Sequence, residues 1–283
     1  MKKILITGGN GLVGSYLKNS LNQESYSIFA FSKEQLNITD IDKSYKIFKD
    51  LKPEIVIHLA AITDVDFCEK NPERAFLINY KGTENISKLS IDFNCFLIYL
   101  STDFIFDGTK NSPYSEQDEP NPINIYGKSK LLGEKYIINN CRKYLIIRTS
   151  RIFGKGGRNF SSRLREIMKE KKEIILITDL INSPTYALSL AETILKLIEK
   201  GVCGIINVCN EGWCSLFEFG VKMREIMKID IKIKGITFDE FLKIYPQAAP
   251  RPKFSPLSTN LLNSLNIKID YWETGLEKFL KDE

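Results

Sequence analysis

Tyr126 and Lys130 stand four residues apart in I-Y-G-K-S-K-L-L-G-E-K-Y, residues 125–136. On a helix that spacing stacks both side chains on one face and brings an ammonium close to a phenol. A free tyrosine titrates near ~10, and a neighbouring cation lowers that value toward working pH, where a phenol can donate or accept a proton. The same pattern also fits an amphipathic helix with one aromatic residue and solvated lysines, so the rest of the chain has to decide. Upstream, the apolar run 96–100 ends in S-T-D-F-I-F-D-G. As a strand it places Ser101, Thr102 and Asp103 at a carboxyl end, where α/β sheets hold ligands and a hydroxyl can polarise a carbonyl. Capping of the local backbone is the plain alternative for such a hydroxyl.

Proton donation and carbonyl polarisation need a partner reaction, and the amino terminus offers one. Residues 2–7 form an apolar strand running into G-G-N-G-L-V-G, where Gly8, Gly11 and Gly14 are spaced G-x-x-G-x-x-G. Between a strand and an amphipathic run to Leu21, the first glycine permits a tight turn. The second lets backbone approach a pyrophosphate, and the third lets helix pack on strand. Helix-terminal N–H groups then face the phosphates, which sets Gly8, Asn10, Gly11, Leu12 and Val13 against a dinucleotide. After a second strand at 27–31 come Ser32 and Lys33. An acid there favours NAD, and a basic residue favours the 2′-phosphate of NADP, so the cofactor expected is NADPH, with NADH the alternative. Residues 55–61, I-V-I-H-L-A-A, read as a buried strand ending in the small residues Ala60 and Ala61, as needed where backbone lies against a cofactor. His58 within it reads as packed.

The elements that position these groups alternate. A helix over 72–91, the strand 96–100, a polar loop 113–124, the Tyr126 helix and a strand at 143–148 follow in turn. They predict an α/β fold with a Rossmann-type, doubly wound parallel sheet. Beyond residue 150 the pattern is less regular. The stretch 154–159, G-K-G-G-R-N, is too short for a P-loop and reads as a mobile loop before a helix from Phe160. Ser183-Pro184-Thr185 precedes a helix to Lys200, then come a strand at 204–208 and a helix at 215–227. Residues 245–256, with Arg251 between two prolines, read as a rigid loop facing a ligand. The expected division is a dinucleotide-binding domain over 1–153, completed by about 183–210, and a smaller C-terminal substrate-binding lobe from 154–182 and 211–283.

Composition removes other classes. The 40 basic and 35 acidic residues are interspersed and leave a net charge of +5, with no basic stripe for nucleic acid. The opening M-K-K-I-L-I-T is too short for a signal peptide, and no stretch reaches membrane-spanning length, so a cytoplasmic protein without a membrane partner is expected. Six cysteines lack any C-x-x-C pair and read as reduced core residues. One histidine in 283 residues leaves neither a Ser-His-Asp base nor a zinc ligand set.

Taken in order, T-G-G-N-G-L-V-G, S-T-D, Y-G-K-S-K and R-P-K-F-S resemble the extended short-chain dehydrogenases/reductases, and most nearly the dTDP-4-dehydrorhamnose reductase family. The likeness runs through L-N-I-T-D at 36–40, A-I-T-D-V-D at 61–66, N-Y-K-G-T-E-N at 79–85, and S-P-T-Y-A at 183–187. It implies that NAD(P)H delivers hydride to the C4 ketone of a nucleotide-linked 6-deoxyhexose while Tyr126 protonates the new alkoxide. By the same resemblance Lys130 holds the nicotinamide ribose and depresses the Tyr126 pKa, and Thr102 binds the ketone oxygen. Asn79 is similar to an asparagine that supports the lysine through water. Asn37, Ile38, Thr63 and Ser101 join the cofactor contacts. Asp103, Phe104, Arg151, Asn159 and Arg251 fall on the substrate, with Arg251 near its diphosphate. A homodimer is open as the assembly. Some relatives bind Mg²⁺ through a glutamate where this chain has Tyr16, so no metal is expected.

The departures bear on the sugar. Phe104 stands where the family has Tyr, and Arg151 where it has Trp; Phe254 alters R-P-x-N-S, and Asn182 and Ser189 replace Gly and Asp. A polar pocket is the expected result, with a solvent-facing Arg151 as the alternative. A 4,6-dehydratase needs a glutamate at the Phe104 position, which a phenyl ring cannot replace. Two other readings stay open: a nucleotide-sugar epimerase with tightly held NAD, and a non-catalytic NADP-binding subunit resembling the regulatory subunit of methionine adenosyltransferase.

Overall fold

In strand β1 (Lys2–Thr7), Ile4, Leu5 and Ile6 are apolar in succession because both faces are covered there. In the computed structural model, which describes residues 1–20, 25–156 and 159–281, Ile4 and Ile6 join one buried cluster with Val13, Leu17, Leu190 and Ile194. Leu5 joins another with Phe48, Val56, Ile86 and Ile137. Successive strand residues point to opposite faces, so an unbroken apolar run marks a sheet with helices on both sides.

Five further strands extend it: β2 (Tyr26–Phe31), β3 (Ile55–His58), β4 (Phe96–Thr102), β5 (Tyr144–Thr149) and a last strand, Gly204–Asn207. The spatial order is last strand, β5, β4, β3, β1, β2, and every neighbouring pair is parallel. The chain steps outward from β1 to β2 and then crosses to β3 on the far side. That reversal opens a crevice beyond the carboxyl ends of β1 and β3, the place where such sheets bind ligands. Register sets His58 between Thr7 and Tyr99, and Thr102 beside Thr149.

At the turn after β1, Gly8 has φ +69°, and a Cβ there would lie 3.0 Å from the Ala60 nitrogen. A Cβ on Gly14 would meet the Gly8 carbonyl oxygen at 2.7 Å, so the turn closes and the helix Leu12–Ser20 seats only with glycine at both places. Leu21, the expected end of that helix, lies outside the described residues, as do residues 157–158 of the glycine-bearing loop.

The helix expected over 72–91 is interrupted. It runs as Pro72–Ala75, a π-helical segment Phe76–Gly82, and Thr83–Asp92. The widened segment carries the fully buried Asn79, whose Oδ1 accepts from Ile62 N at 2.7 Å and whose Nδ2 donates to Ile62 O at 3.0 Å. Widened turns of this kind occur where a side chain is aimed at a site. After residue 150, helices Phe160–Glu170, Leu216–Met227 and Trp272–Lys281 pack around Phe153, Tyr186 and Phe219. A parallel pair, Glu173–Ile177 with Lys232–Ile236, was not expected from sequence; the first has an apolar run of four residues, I-I-L-I, that the sequence reading passed over, and the second, K-I-K-G-I, has no apolar run and is largely exposed. Among the described residues no helix is long and apolar enough to cross a membrane.

Candidate functional site

Helix Ile125–Asn140 is held at its start from two directions. Asn124 caps it, Oδ1 accepting from Gly127 N at 2.8 Å while Nδ2 donates to Pro250 O at 2.9 Å. Ile125 N donates to Glu69 Oε2 at 2.9 Å. Tyr126 and Lys130 therefore project from the first two turns of a helix with a fixed start, and both are buried.

Their electrostatics differ from the expectation. Burial raises the Tyr126 pKa above the ordinary tyrosine value, and the charge of Asp103 adds to it, while a hydrogen bond with Thr102 works in the opposite direction. Lys130 does not lower it, because its Nζ donates to Leu100 O at 2.7 Å and lies 4.0 Å from the centre of the Tyr99 ring. Burial brings Lys130 itself down to about 7, resisted by Glu134 one turn further along the helix.

Thr102 closes β4, where its Oγ1 accepts from Phe104 N and donates to Asp103 Oδ1, both at 3.2 Å. Asp103 also accepts from Ser255 Oγ at 2.6 Å, which ties the C-terminal loop to the sheet. Burial pushes its carboxyl up to about 6 against these hydrogen bonds. Arg251, in the same loop, donates to Asp66 Oδ2 at 2.8 Å and to Ala249 O at 2.9 Å, and Asp66 Oδ1 accepts from Ala249 N at 2.8 Å. Phe104 packs edge-on to Tyr126, with ring centres 5.9 Å apart.

Arg151 does not face solvent. It adopts φ +35°, uncommon for a side-chain-bearing residue, and donates from one terminal nitrogen to Leu180 O at 3.2 Å. Its other terminal nitrogen, Nη1, is buried without a partner, and so is Asn182 Oδ1. Both residues line one cavity of about 1050 Å³.

That cavity gathers nearly every residue singled out by the sequence. Gly8, Asn10, Gly11, Leu12, Val13, Ser32, Lys33, Ala60, Ala61 and Thr63 line one part. Ser101, Thr102, Asp103, Phe104, Tyr126, Lys130, Arg151, Asn159 and Arg251 line the rest. A second cavity of about 410 Å³ shares Gly8, Lys33, Ala60 and Ala61 with it and adds Asn37 and Ile38. Asn79 lines neither. Besides Ile62 it donates to Ser129 Oγ at 3.1 Å, so it braces the loop after β3 against helix Ile125–Asn140 and makes no direct hydrogen bond to Lys130. Asn159 lines the cavity edge, yet its Oδ1 caps helix Phe160–Glu170 by accepting from Ser162 N at 3.0 Å. Tyr16, expected at a lost metal position, accepts from Lys155 N through its hydroxyl at 2.8 Å.

Sequence reading missed three contributors. Arg74 lines the smaller cavity with Lys33, and nothing in its spacing marked it. Asp66, in the stretch A-I-T-D-V-D, anchors Arg251; nothing in that stretch set it apart from Asp64. Tyr99 and His58 stack with ring centres 5.7 Å apart. His58 also bridges Thr7 Oγ1 at 2.7 Å and Thr83 Oγ1 at 3.0 Å, and Thr83 Oγ1 donates to Asn79 O at 2.7 Å.

The donor set suits a dinucleotide. Backbone at Gly8 and Gly11 faces the cavity, two cations flank its smaller annex, and Ser101 Oγ is buried without a partner. Beyond the annex stand a phenol, an ammonium and a hydroxyl that can move a proton at one oxygen atom.

A family profile described as RmlD substrate binding domain matches residues 1–283. The spore coat polysaccharide biosynthesis protein SpsK of Bacillus subtilis (strain 168) is 36% identical over 282 residues, covering 100% of this chain and 98% of that protein. The dTDP-4-dehydrorhamnose reductase of Salmonella typhimurium (strain LT2) is 30% identical over 290 residues, 99% of this chain and 97% of the relative. A dTDP-4-dehydrorhamnose reductase of Bacillus anthracis str. Ames, solved in complex with NADP, matches with a TM-score of 0.96 and 38% identity over 100% of both chains.

Proposed function

We propose, for a chain that belongs to the RmlD substrate binding domain family of dTDP-4-dehydrorhamnose reductases, that it reduces the C4 ketone of dTDP-4-dehydrorhamnose to give dTDP-L-rhamnose. It is an NAD(P)H-dependent oxidoreductase of nucleotide sugars. The observation that carries the reading is one continuous lining: Thr102, Tyr126 and Lys130 face the cavity whose other part is the glycine-turn backbone, Lys33 and the small residues after β3.

The residues present fit NADPH. Gly8, Asn10, Gly11, Leu12 and Val13 would take the pyrophosphate, Ser32 and Lys33 the 2′-phosphate, with Arg74 beside it, and Asn37, Ile38, Ala60, Ala61 and Thr63 the adenosine. When bound, this cofactor supplies the hydride. The chain's own groups do the rest. Thr102 turns its hydroxyl from Asp103 to the ketone oxygen, and Tyr126 gives its proton to that oxygen as the alkoxide forms. A phenol held above its usual pKa in the free protein arrives protonated, as a donor must. Lys130 holds the ribose hydroxyls through its ammonium. Asp103 fixes the loop carrying Arg251, and Phe104, Arg151 and Arg251 border the sugar and its diphosphate. Strands to β5 and Gly204–Asn207 serve the dinucleotide, whereas residues 154–182 and 211–283 serve mainly the sugar.

The test is a panel of enzymatically generated nucleotide 4-keto sugars, each mixed with NADPH and followed by cofactor absorbance. Turnover of the dTDP-4-dehydrorhamnose member is expected. Failure on every member favours a non-catalytic NADP-binding subunit.

A further inference from the structure

Behind Lys130 lies a residue to which the proposed reaction assigns no task. Tyr99 is fully buried on β4, and its ring centre is 4.0 Å from Lys130 Nζ. Its hydroxyl donates to the carbonyl oxygen of Lys130 at 3.3 Å, while the next residue, Leu100, accepts from Nζ through its own carbonyl at 2.7 Å. Two successive strand residues thus hold both ends of one lysine. The face of an aromatic ring is electron-rich and attracts an ammonium, more strongly where water is excluded. The ionisable groups around Lys130 are few. Glu134 lies on its own helix and is paired with Arg148. Tyr126 precedes it on that helix, and His58 packs against Tyr99 from β3. His58 stays neutral, because burial and the nearby lysine hold its pKa down to about 3. The Tyr99 ring and the Leu100 carbonyl are therefore the groups that meet the ammonium directly.

We propose that Tyr99 is a positioning residue that holds Lys130 as a cation at the cavity wall through the face of its ring, with its hydroxyl secondary. This rests on the reading of Lys130 as a catalytic group. A ring that holds the charge must lose its hold as the ring is made electron-poor, even when shape is kept.

The experiment uses the full chain with ¹³C-labelled lysine, the Lys130 Cε signal being assigned by its loss in Lys130→Arg. Tyr99→Phe is the reference, compared with one, two and three fluorines on the phenylalanine ring at that position, which change ring electrons and hardly change volume. The Lys130 titration midpoint should fall stepwise, by about one pH unit over the series, and the high-pH limb of kcat/KM should move with it. Tyr99→Leu should lower the midpoint at least as far. A midpoint unmoved by fluorination overturns the proposal. The two failures are distinguishable: full reductase activity in Lys130→Met removes the catalytic reading, while the titration series still decides what Tyr99 does.

Discussion

Replacing Glu134 with leucine should cost far more stability than its small size suggests. Glu134 and Arg148 are 0% and 3% exposed at their side chains, and they join the catalytic helix to β5. Arg148 Nε lies 3.3 Å from both carboxylate oxygens and Nη2 lies 2.8 Å from one, so two ions were taken out of water to meet each other. With Glu134 gone, the guanidinium keeps the Glu116 carbonyl at 3.2 Å and the Phe106 ring at 5.5 Å, neither of which carries a negative charge. Removing one partner of such a pair costs roughly 3–5 kcal/mol, whereas exchanging both for apolar residues of similar volume is often close to neutral. Out of a typical total of about 5–15 kcal/mol, the single change is large. We expect Glu134→Leu and Arg148→Met each to lose about 4 kcal/mol in urea unfolding, and the double variant to lose less than either alone. Fits must give equal m values for the comparison to hold. Single losses below about 1 kcal/mol, or a double loss equal to the sum, would refute this account of the pair.

At the site, Tyr126→Phe should lower turnover by roughly 10²–10⁴-fold with NADPH affinity near wild type, measured by steady-state kinetics and titration; unchanged turnover removes Tyr126 from the mechanism. Lys130→Met should weaken both turnover and NADPH binding, and loss of turnover alone would remove the ribose contact. Asp103 has a folded pKa raised from 3.8 to about 6, so between those values the folded protein binds a proton that the unfolded chain has released. Its contribution to stability is present below about pH 4 and is lost as pH rises to about 6, by roughly 3 kcal/mol. Asp103→Asn should remove that slope from the difference between pH 4 and pH 7 unfolding curves, and an unchanged slope would contradict the buried-carboxyl argument. Phe104→Tyr with Arg151→Trp should raise kcat/KM on dTDP-4-dehydrorhamnose relative to more polar 4-keto sugars; efficient wild-type turnover of that sugar, lowered by the double change, would show that Arg151 serves it directly.

Local spacing carried much of this reading. Gly8, Gly11 and Gly14 after an apolar strand, and Tyr126 four residues before Lys130, are constraints that act within one turn or one helix, so they are visible in a linear string. The departures came from contacts between distant positions. The Lys130 ammonium donates to a carbonyl 30 residues upstream, and Arg251 is claimed by Asp66 across 185 residues. Asn79 sits on a helix whose apolar period gave no hint of a widened turn. Of the pair Glu173–Ile177 and Lys232–Ile236, the second escaped because K-I-K-G-I lacks any apolar run, while the I-I-L-I of the first lies in the less regular stretch beyond residue 150 and has no neighbour in sequence to pair with.

The string from Thr7 to the catalytic helix also has a direction. Thr7 Oγ1 already accepts from the N–H groups of Leu59 and Ala60, both at 3.2 Å, so its own hydrogen goes to His58 Nδ1. Thr83 spends its hydrogen on Asn79 O, so it must accept from His58 Nε2, which assigns that nitrogen the ring proton. Asn79 Nδ2 then donates to Ser129 Oγ, and Ser129 Oγ donates to Tyr126 O at 2.8 Å. Every donor points the same way, from the glycine turn after β1 toward the backbone of Tyr126. Such a one-way sequence admits a single arrangement of its hydrogens. A second proton on His58 would set an Nδ1–H against the hydroxyl hydrogen of Thr7, whose oxygen already receives two, and the sequence would break at its first link. The chain's one histidine is thus excluded from acid–base work by its neighbours' hydrogen bonds as well as by burial.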